Sequence, residues 1–420
     1  MDTSYPKNFF HVIEFVYGLY GLSSLWFFQM KGSLIVRVLK FSRSIVLYSC
    51  SFSFIILECI MFGETSKSFS KLITLVGMLL STLLAVLKLT KVLLYNRKKL
   101  VEIMDSLQDE NFRYESVGDF NPGKMMTDAK RRTRFVKIVC VLFSSIAFAA
   151  HISSAIAINN GPSDYRFENT TCYDFMPYIF YIPFPSDTKI TCQLVAVYLD
   201  IALCGISFCH GCSDSFYVIL LYCLKTNYII VGEAFRTVRK RVFKKLNLPL
   251  DFEIFRDDEF PELEQELHRE MNFMTKHFVQ LLRVTEDLED IYNVVILGQM
   301  LQCFIIFASC LYIATTVAIT SPEFAPVAQY FSAVLVQLAL FSWFGTGITR
   351  ATEDMMNALY DSDWYSASKR FKSSLLLTMM RLQEPVHLTV GKFAPLTLNS
   401  FVSVCRGAFS YYTVLKEVNN

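Results

Sequence analysis

The chain has 420 residues, of which 53% are hydrophobic and 19% charged, with 38 Phe and 21 Tyr. Its mean hydropathy of +0.36 excludes an ordinary water-soluble domain, because such a domain could not bury so much apolar surface. The net charge of +2 gives no basis for nucleic-acid binding, and the 12 Cys form no zinc-type cluster with His, so we expect an integral membrane protein without a metal or cofactor.

Runs of apolar residues long enough to cross a bilayer recur along the chain. A hydrocarbon core about 30 Å thick needs roughly 20 apolar residues of helix. The sequence predicts seven such spans, at residues 34–62, 69–95, 135–158, 190–224, 291–319, 326–349 and 393–416. An eighth candidate, from Phe9 to Phe28, contains His11 and Glu14, and we interpret it as an interfacial helix lying on the membrane. The first residues lack the features of a signal peptide, so we expect no cleaved leader.

Basic residues are distributed unequally between the two sides of these spans. Of the 40 Lys and Arg, 32 fall in the segments on one side of the spans (1–43, 96–137, 225–283 and 350–392) and four in those on the other (63–71, 159–189 and 320–325). Because basic loops stay in the cytoplasm, the pattern predicts a cytoplasmic N terminus and an extracellular C terminus. This arrangement disfavours a G-protein-coupled receptor, which has the opposite sidedness. The predicted parts are an N-terminal segment (1–33), helices one to four (34–224), a cytoplasmic loop with a helical extension (225–290), helices five and six (291–349), a cytoplasmic anchor region (350–392) and a seventh helix with a short extracellular end (393–420).

The loop at 159–189 carries two marks of an extracellular segment. Asn169 begins the chain's one N-x-[ST] sequon, so we expect glycosylation there. Cys172 and Cys192 bracket the same loop, where an oxidising exterior would permit a disulfide, although two unpaired thiols are the alternative.

Two amphipathic segments are predicted beneath the membrane. A heptad-like apolar series runs into the fifth span without a break signal and indicates one long helix. Its members are Leu263, Leu267, Met271, Met274, Phe278, Leu281 and Leu288. The second segment, Ser368 to Gln383, ends near Pro385. It could be a surface helix that covers the bundle, or part of a docking platform.

The last span carries a stripe of polar residues. They recur at steps of three and four and therefore share one helical face. The stripe consists of Asn399, Ser403, Arg406, Ser410, Thr413 and Glu417. Polar groups in a span face other helices or water, so the stripe either forms interhelical hydrogen bonds or lines a pore. A pore would require several subunits around an axis.

The stretch from Asn357 to Leu415 contains a set of landmark residues: Trp364, Tyr365, Gln383, Pro385, Gly391, Lys392, Phe401, Ser410 and Tyr411. With these residues it resembles the C-terminal region of insect odorant receptors. Related gustatory receptors have a Thr-Tyr, five residues, Gln-Phe pattern here. Of its four positions, occupied in this chain by Ser410, Tyr411, Glu417 and Val418, only the tyrosine is retained.

The resemblance implies an odorant-binding subunit of a ligand-gated, non-selective cation channel, a heterotetramer with a shared co-receptor in the plasma membrane of olfactory neuron dendrites. In that family the co-receptor is expected to be longer than this chain and to have a Gln near the end of its last helix, where this chain has Glu417. By the same match, Val414 occupies the gate position and Glu417 that of the adjoining polar residue. Ser403, Ser410 and Thr413 are the further pore residues expected from the stripe. The alternatives are a gustatory-type channel working without a co-receptor and a G-protein-coupled chemoreceptor.

The resemblance also implies a ligand site in the outer half of the bundle, between spans two, three, four and six. The residues expected at that depth are Ile73, Val76, Leu80, Phe148, His151, Ile152, Ala155, Tyr198, Ile201, Tyr330 and Val334. This mostly apolar set suits a small volatile ester, alcohol or aldehyde. His151 could donate to the ligand's oxygen or be bonded to a neighbouring helix. The sequence contains no phosphate-binding loop or hydrolase motif, so we expect no enzymatic activity.

Overall fold

The computed structural model describes the chain apart from residues 1–4, 7, 14–32, 65–68, 139–144, 146–151, 153, 154, 157, 161–170, 177, 179, 187, 251–254, 317–323, 419 and 420. The helices of the described part are α1 Leu34–Glu64, α2 Phe69–Leu87, α3 Arg97–Leu107, α4 Pro122–Arg132, α5 Lys189–Arg236, α6 Val238–Lys245, α7 Pro261–Thr316, α8 Phe324–Tyr360, α9 Lys369–Leu382 and α10 Leu398–Val418. A π-helical segment, Lys88–Tyr95, continues α2. Strands β1 Thr389–Val390 and β2 Ala394–Pro395 form an antiparallel hairpin.

Five helices in the described part are long and apolar enough to cross a membrane. These stretches are Leu34–Gly63, Leu75–Tyr95, Lys189–Arg236, Pro261–Leu311 and Tyr330–Tyr360. They correspond to predicted spans one, two, four, five and six. The predicted span at 135–158 lies mostly outside the described residues, and α10 at the seventh position is helical but less apolar because of its polar stripe. Seven crossings and their sidedness therefore stay predictions.

Two helices are much longer than a bilayer is thick. α5 has 48 residues and α7 has 56, which correspond to roughly 70 and 84 Å. α5 begins with a capping box in which Thr188 and Thr191 satisfy each other's backbone amides. In α7 the whole predicted series from Leu263 to Leu288 is buried, which confirms one continuous helix below the fifth span.

The core is organised around α5, which packs against α8 over much of its length and also contacts α1, α2 and α7. Most of α5 between Gly211 and Leu224 is buried on every side, as expected for a central helix.

The described N-terminal residues pack at the end of the bundle formed by α3, α4 and α6. Phe9, Phe10 and Ile13 belong to the same buried cluster as the apolar face of α3. The amide of Phe9 donates to Oε1 of Gln108 at 2.7 Å, and the amide of Tyr114 donates to the Tyr5 hydroxyl at 3.2 Å. Residues 9–13 of the expected interfacial helix are thus inserted into this end, while 14–28 lie outside the described residues.

The β hairpin attaches α10 to the bundle. Gly391 donates its amide to the carbonyl of Asn293 in α7 at 3.2 Å, and Leu398 donates to Oγ1 of Thr346 in α8 at 2.9 Å. Gly391 has a φ of 58°, and a Cβ there would lie 2.8 Å from Cδ2 of Leu297. The turn therefore needs glycine for its backbone conformation and for its close approach to α7.

Candidate functional site

A cavity of about 90 Å³ lies between α2, α5, α7 and α8. Most of its wall is apolar, but one end is lined by hydroxyl, amide and imidazole groups. The lining residues are Met78, Ser81, Tyr178, Leu203, Ile206, Ser207, His210, Gln302, Tyr330, Ala333, Val334 and Gln337. A concave, mostly apolar space with a few convergent polar groups is the usual form of a small-molecule site.

A buried ion pair lies next to the polar end of this cavity. The Lys88 ammonium, fully buried at the start of the π-helical segment, donates to Oδ1 of Asp214 at 2.6 Å. It also donates to Oε1 of Gln299 at 2.8 Å and lies 3.1 Å from Nδ1 of His210. The second carboxylate oxygen of Asp214 accepts from Nε2 of Gln337. Each charge thus has several partners, as a buried ion pair requires.

Three glutamine amides connect the ion pair to the cavity. Nε2 of Gln299 donates to Oε1 of Gln302 at 3.4 Å and to Oε1 of Gln337 at 3.3 Å. Nε2 of Gln302 in turn donates to Oγ of Ser81 at 2.6 Å. The Ser81 hydroxyl lies 2.8 Å from the hydroxyl of Tyr330. A continuous chain of hydrogen bonds therefore runs from the lysine to a tyrosine in the cavity wall.

His210 is held in one tautomer by its two neighbours. Nε2 lies 2.9 Å from the carbonyl oxygen of Ser81, which can only accept, so Nε2 carries the proton. Nδ1 faces the Lys88 ammonium, which can only donate, so Nδ1 is the unprotonated acceptor. Both nitrogens are therefore used inside the protein.

The structure brings two of the predicted ligand residues, Tyr330 and Val334, into the cavity wall. Val76, Leu80 and Ile201 are half-buried on the same helices but do not line it. The Tyr198 hydroxyl bonds to Oγ of Ser53 at 2.7 Å, on the side of α5 that faces α1. The remaining predicted ligand residues fall elsewhere: Ile152 and Ala155 are exposed, Phe148 and His151 lie outside the described residues, and so does the side chain of Ile73.

The polar residues of the cavity were missing from the sequence prediction. Ser81, His210, Gln302 and Gln337 each lie inside an apolar run, where a polar side chain is itself a sign of a functional site. That sign was available in the sequence. These residues lie on four different helices, and the sequence alone does not show that they contact one another.

α10 packs on α7 by one narrow face. Ala408 is fully buried on this face, and the ring of Phe304 in α7 lies against Gly407 and Tyr411. At 100° per residue, the stripe containing Ser403, Arg406 and Ser410 lies on the opposite side of the helix. All described members of the stripe are exposed and point away from their own bundle.

The polar side chains of this exposed face are satisfied by their own helix. Ser403 donates to the carbonyl of Asn399 at 2.9 Å, Ser410 to that of Arg406 at 3.1 Å and Thr413 to that of Ser410 at 2.6 Å. Val414 is 54% exposed beside the stripe. Glu417 lies within α10, and its side chain is outside the described residues.

In the predicted extracellular loop region, Cys172 and Cys192 are joined by a disulfide. The segment that follows Cys172 packs on α1, where Phe180 contacts Phe54 and the amide of Tyr181 donates to the carbonyl of Leu57. Asn169 lies outside the described residues.

A larger cleft of about 760 Å³ lies between α6, α7 and the residues after α3. Its charged groups are largely paired with each other: Arg241 donates to Oε2 of Glu270 at 2.7 Å, and Lys245 bonds to Glu266. Burial raises the pKa of the Tyr114 hydroxyl well above its usual value, so it remains a neutral phenol under the Arg241 guanidinium. These pairings join α6 to α7 and suit a structural role.

The comparisons with known proteins point in one direction. The profile of the family described as 7tm Odorant receptor matches residues 68–409. Odorant receptor 82a of Drosophila melanogaster is 24% identical over 210 residues, 49% of this chain and 54% of that protein. Odorant receptor 10 of Aedes albopictus is 32% identical over 94 residues, 22% of this chain and 25% of that protein. The matched parts thus span a quarter to about half of these relatives.

Solved structures show the same fold. The olfactory receptor OR5 from Machilis hrabei, in complex with eugenol, has a TM-score of 0.73 at 16% identity, over 97% of this chain and 98% of that one. The same receptor alone has a TM-score of 0.72 at 16% identity, over 98% of this chain and 99% of that one.

Proposed function

Because the chain belongs to the insect odorant receptor family, we propose that it is the odorant-binding subunit of a ligand-gated, non-selective cation channel formed with a co-receptor. The observation that carries the proposal is the cavity between α2, α5, α7 and α8, in which Tyr330 and Val334 meet a polar end. The complex of the structurally related receptor with eugenol supports a small organic ligand. Dispersion along the apolar wall and one or two hydrogen bonds at the polar end would hold a small volatile.

The pore is proposed to lie along the polar stripe of α10. The stripe is exposed and faces away from the subunit's own helices, so several subunits around an axis would enclose a water-filled path. Val414 would form the hydrophobic gate, and Ser403, Ser410, Thr413 and Glu417 would line the path. The self-satisfied hydroxyls suit this role, because they need no partner from a neighbouring helix.

Gating is proposed to be a population shift. A ligand that binds the open arrangement better than the closed one increases the open fraction, and about 1.4 kcal/mol of preference changes the ratio tenfold. α7 supplies Gln302 to the cavity and Phe304 to the contact with α10. Displacement of α7 by the ligand would therefore act directly on the pore helix.

Assembly is proposed to occur through the end of the bundle that carries α9. This helix buries Phe371 and Leu375 against the bundle, yet Leu376, Leu377 and Met380 on its other side are exposed. An apolar face of this kind suits contact with neighbouring subunits. The basic loops and the docked N-terminal residues share this end, which supports a cytoplasmic placement. The full protein would be a multi-pass protein of the plasma membrane of olfactory neuron dendrites.

The experiment that tests the proposal measures whole-cell current under a panel of small volatiles, in cells expressing the chain with or without an odorant co-receptor. Cation current that requires both chains and a volatile is the expected result. Current from this chain alone would favour a gustatory-type channel without a co-receptor. Silence despite verified delivery of both chains to the cell surface would contradict the proposal.

A further inference from the structure

We propose that the cavity selects small hydroxyl compounds, alcohols or phenols, because buried Lys88 fixes the direction of the hydrogen bonds that end in its wall. The inference rests on the proposed function, in which this cavity is the odorant site. It follows from counting donors and acceptors from the lysine outwards.

The direction of the chain is set by the ammonium group. Lys88 can only donate, so Oε1 of Gln299 accepts from it and the orientation of that amide is fixed. Nε2 of Gln299 must then donate, and it does so to Oε1 of Gln302. The Gln302 amide is thereby oriented with Nε2 toward Ser81. Reversal of any of these amides would place two donors face to face.

The other strong polar groups are already occupied. The three protons of Lys88 are directed at Asp214, Gln299 and His210. His210 uses one nitrogen for Lys88 and the other for the Ser81 carbonyl. Gln337 donates to Asp214 and to Oε1 of Gln299 and accepts from Nε2 of Gln299. Of these residues, His210 and Gln337 line the cavity, and neither presents a free donor to a ligand.

Two groups at the end of the chain remain for a ligand. The Ser81 hydroxyl donates to the carbonyl of Gly77 at 3.1 Å, as helical serines commonly do, and accepts from Gln302. The Tyr330 hydroxyl therefore donates to Ser81, which leaves the phenolic oxygen of Tyr330 as an acceptor. The amide of Gln302 has a second N–H, for which the described residues supply no other acceptor.

One ligand atom can use both groups. Nε2 of Gln302 lies 2.6 Å and the Tyr330 oxygen 2.8 Å from the same Ser81 oxygen, so they are at most 5.4 Å apart, the sum of the two distances. A single oxygen can lie within hydrogen-bond distance of both. A hydroxyl accepts from Gln302 and donates to Tyr330, whereas an aldehyde, ester or ether only accepts. The hydroxyls of Ser207 and Tyr178 on the walls can turn to either role and do not change this preference.

The volume of the cavity limits the size of the ligand. A buried water needs about 10 to 15 Å³ of such volume, so about 90 Å³ corresponds to roughly six to nine waters, which suits a small organic molecule. Met78, Leu203, Ile206 and Val334 supply an apolar wall for the hydrocarbon part. The expected ligand is therefore an alcohol or phenol with a short chain or a single ring.

The test compares compounds that differ in the oxygen function and not in the number of heavy atoms. One set is hexan-1-ol, hexanal and methyl pentyl ether, and the other is 4-methylphenol, benzaldehyde and methoxybenzene. Half-maximal concentrations are measured from odorant-evoked current in cells expressing the chain with a co-receptor. We expect the hydroxyl compound of at least one set to be about three- to tenfold more potent than its partners, the effect of one hydrogen bond.

Two matched variants assign the preference to Tyr330. Tyr330→Phe removes the acceptor and should reduce the potency ratio between hydroxyl compound and ether to near one. Tyr292→Phe is the control, because Tyr292 is buried in α7 outside the cavity and its hydroxyl has no hydrogen-bond partner within the described part of the chain. It should leave the ratio unchanged.

The outcomes separate this inference from the proposed function. If aldehydes or ethers are as potent as the hydroxyl compounds, the inference is overturned and the proposed function stays intact. The same holds if all the active volatiles lack a hydroxyl group. If Tyr330→Phe changes the potency of the hydroxyl compound, the aldehyde and the ether equally, Tyr330 contributes only packing, and the inference is overturned. No current with any volatile, despite surface delivery with the co-receptor, would contradict the proposed function itself.

Discussion

Lys88 and Asp214 are charged residues in the buried interior of the helix bundle, where an isolated charge is least stable. Both lie in predicted spans, and Lys88 is entirely shielded from solvent. A buried pair is weak evidence for added stability, because desolvation opposes the attraction between the charges. Its value here is orientation, since the lysine determines which way each neighbouring amide points.

Lys88→Met should destabilise the protein by about 3 to 5 kcal/mol, because it leaves the Asp214 carboxylate buried without its partner. The double variant Lys88→Met with Asp214→Asn should recover much of this loss, because no unpaired charge remains. Thermal stability in detergent, followed by size-exclusion chromatography, measures both variants. A double variant no more stable than the single one would contradict the explanation.

Arg406 lies on the exposed face of α10, and no carboxylate of the described residues forms an ion pair with it. If this face lines the pore, its charge repels a divalent cation twice as strongly as a monovalent one. At about 7 Å in water the monovalent repulsion is about 0.6 kcal/mol, a factor of roughly three. Arg406→Gln should therefore raise calcium permeability relative to sodium about threefold.

Reversal potentials in calcium and sodium solutions measure this ratio. Arg406→Lys is the matched control, because it retains the charge and should leave the ratio as it is. An unchanged ratio in Arg406→Gln would place the guanidinium away from the ion path.

At the scale of elements, the position of α10 depends on the hairpin before it. Gly391 of the hairpin bonds to Asn293, and Leu398 at the start of α10 bonds to Thr346. Between them, Leu396 approaches α8 so closely that a Cβ on Gly345 would lie 2.2 Å from its carbonyl oxygen. Two short strands and two close glycine contacts thus hold a helix whose other faces are mostly exposed. The orientation of the polar stripe relative to the bundle is determined there.

Gly391→Ala should reduce surface delivery and thermal stability, because the new methyl group meets Leu297 at 2.8 Å in a backbone conformation that alanine disfavours. Gly118→Ala is a matched control: its φ of 55° imposes similar strain, but nothing lies within 4 Å of the added carbon. We expect the control to lose only about 1 kcal/mol, as judged by the melting temperature. Equal losses in both variants would argue against the contact with α7.

At the scale of the whole molecule, the exposed apolar side of α9 predicts where subunits meet. Leu376→Glu combined with Leu377→Glu should weaken association with the co-receptor, because charges would replace apolar contacts. Copurification of the two chains from membranes measures association. Leu250→Glu, another exposed leucine outside α9, is the control and should not affect it. Normal copurification of the double variant would exclude this face.

The sequence predicted the bounds of the helices better than the contacts between them. Span one was expected at 34–62 and is Leu34–Glu64, because apolar run length follows bilayer thickness directly. α5 continues to Arg236, 12 residues beyond its predicted end, because a helix buried in protein need not end with the hydrocarbon layer. Tyr330 was placed at the depth of the cavity through the family resemblance, whereas Ser81 and Gln302 were missed because they contact each other across 221 residues of sequence.

The unbroken length of α7 gives the molecule a mechanical property. This one continuous helix lines the cavity at Gln302, contacts α10 at Phe304, bonds to the hairpin at Asn293 and is buried at its far end at Leu263. From Gln302 to Leu263 is about 58 Å of helix, so a tilt of about 4° at the cavity would move the far end by about 4 Å. In the proposed channel, α7 would thus act as a lever that transmits the binding of a small ligand in the cavity to the subunit contacts near α9.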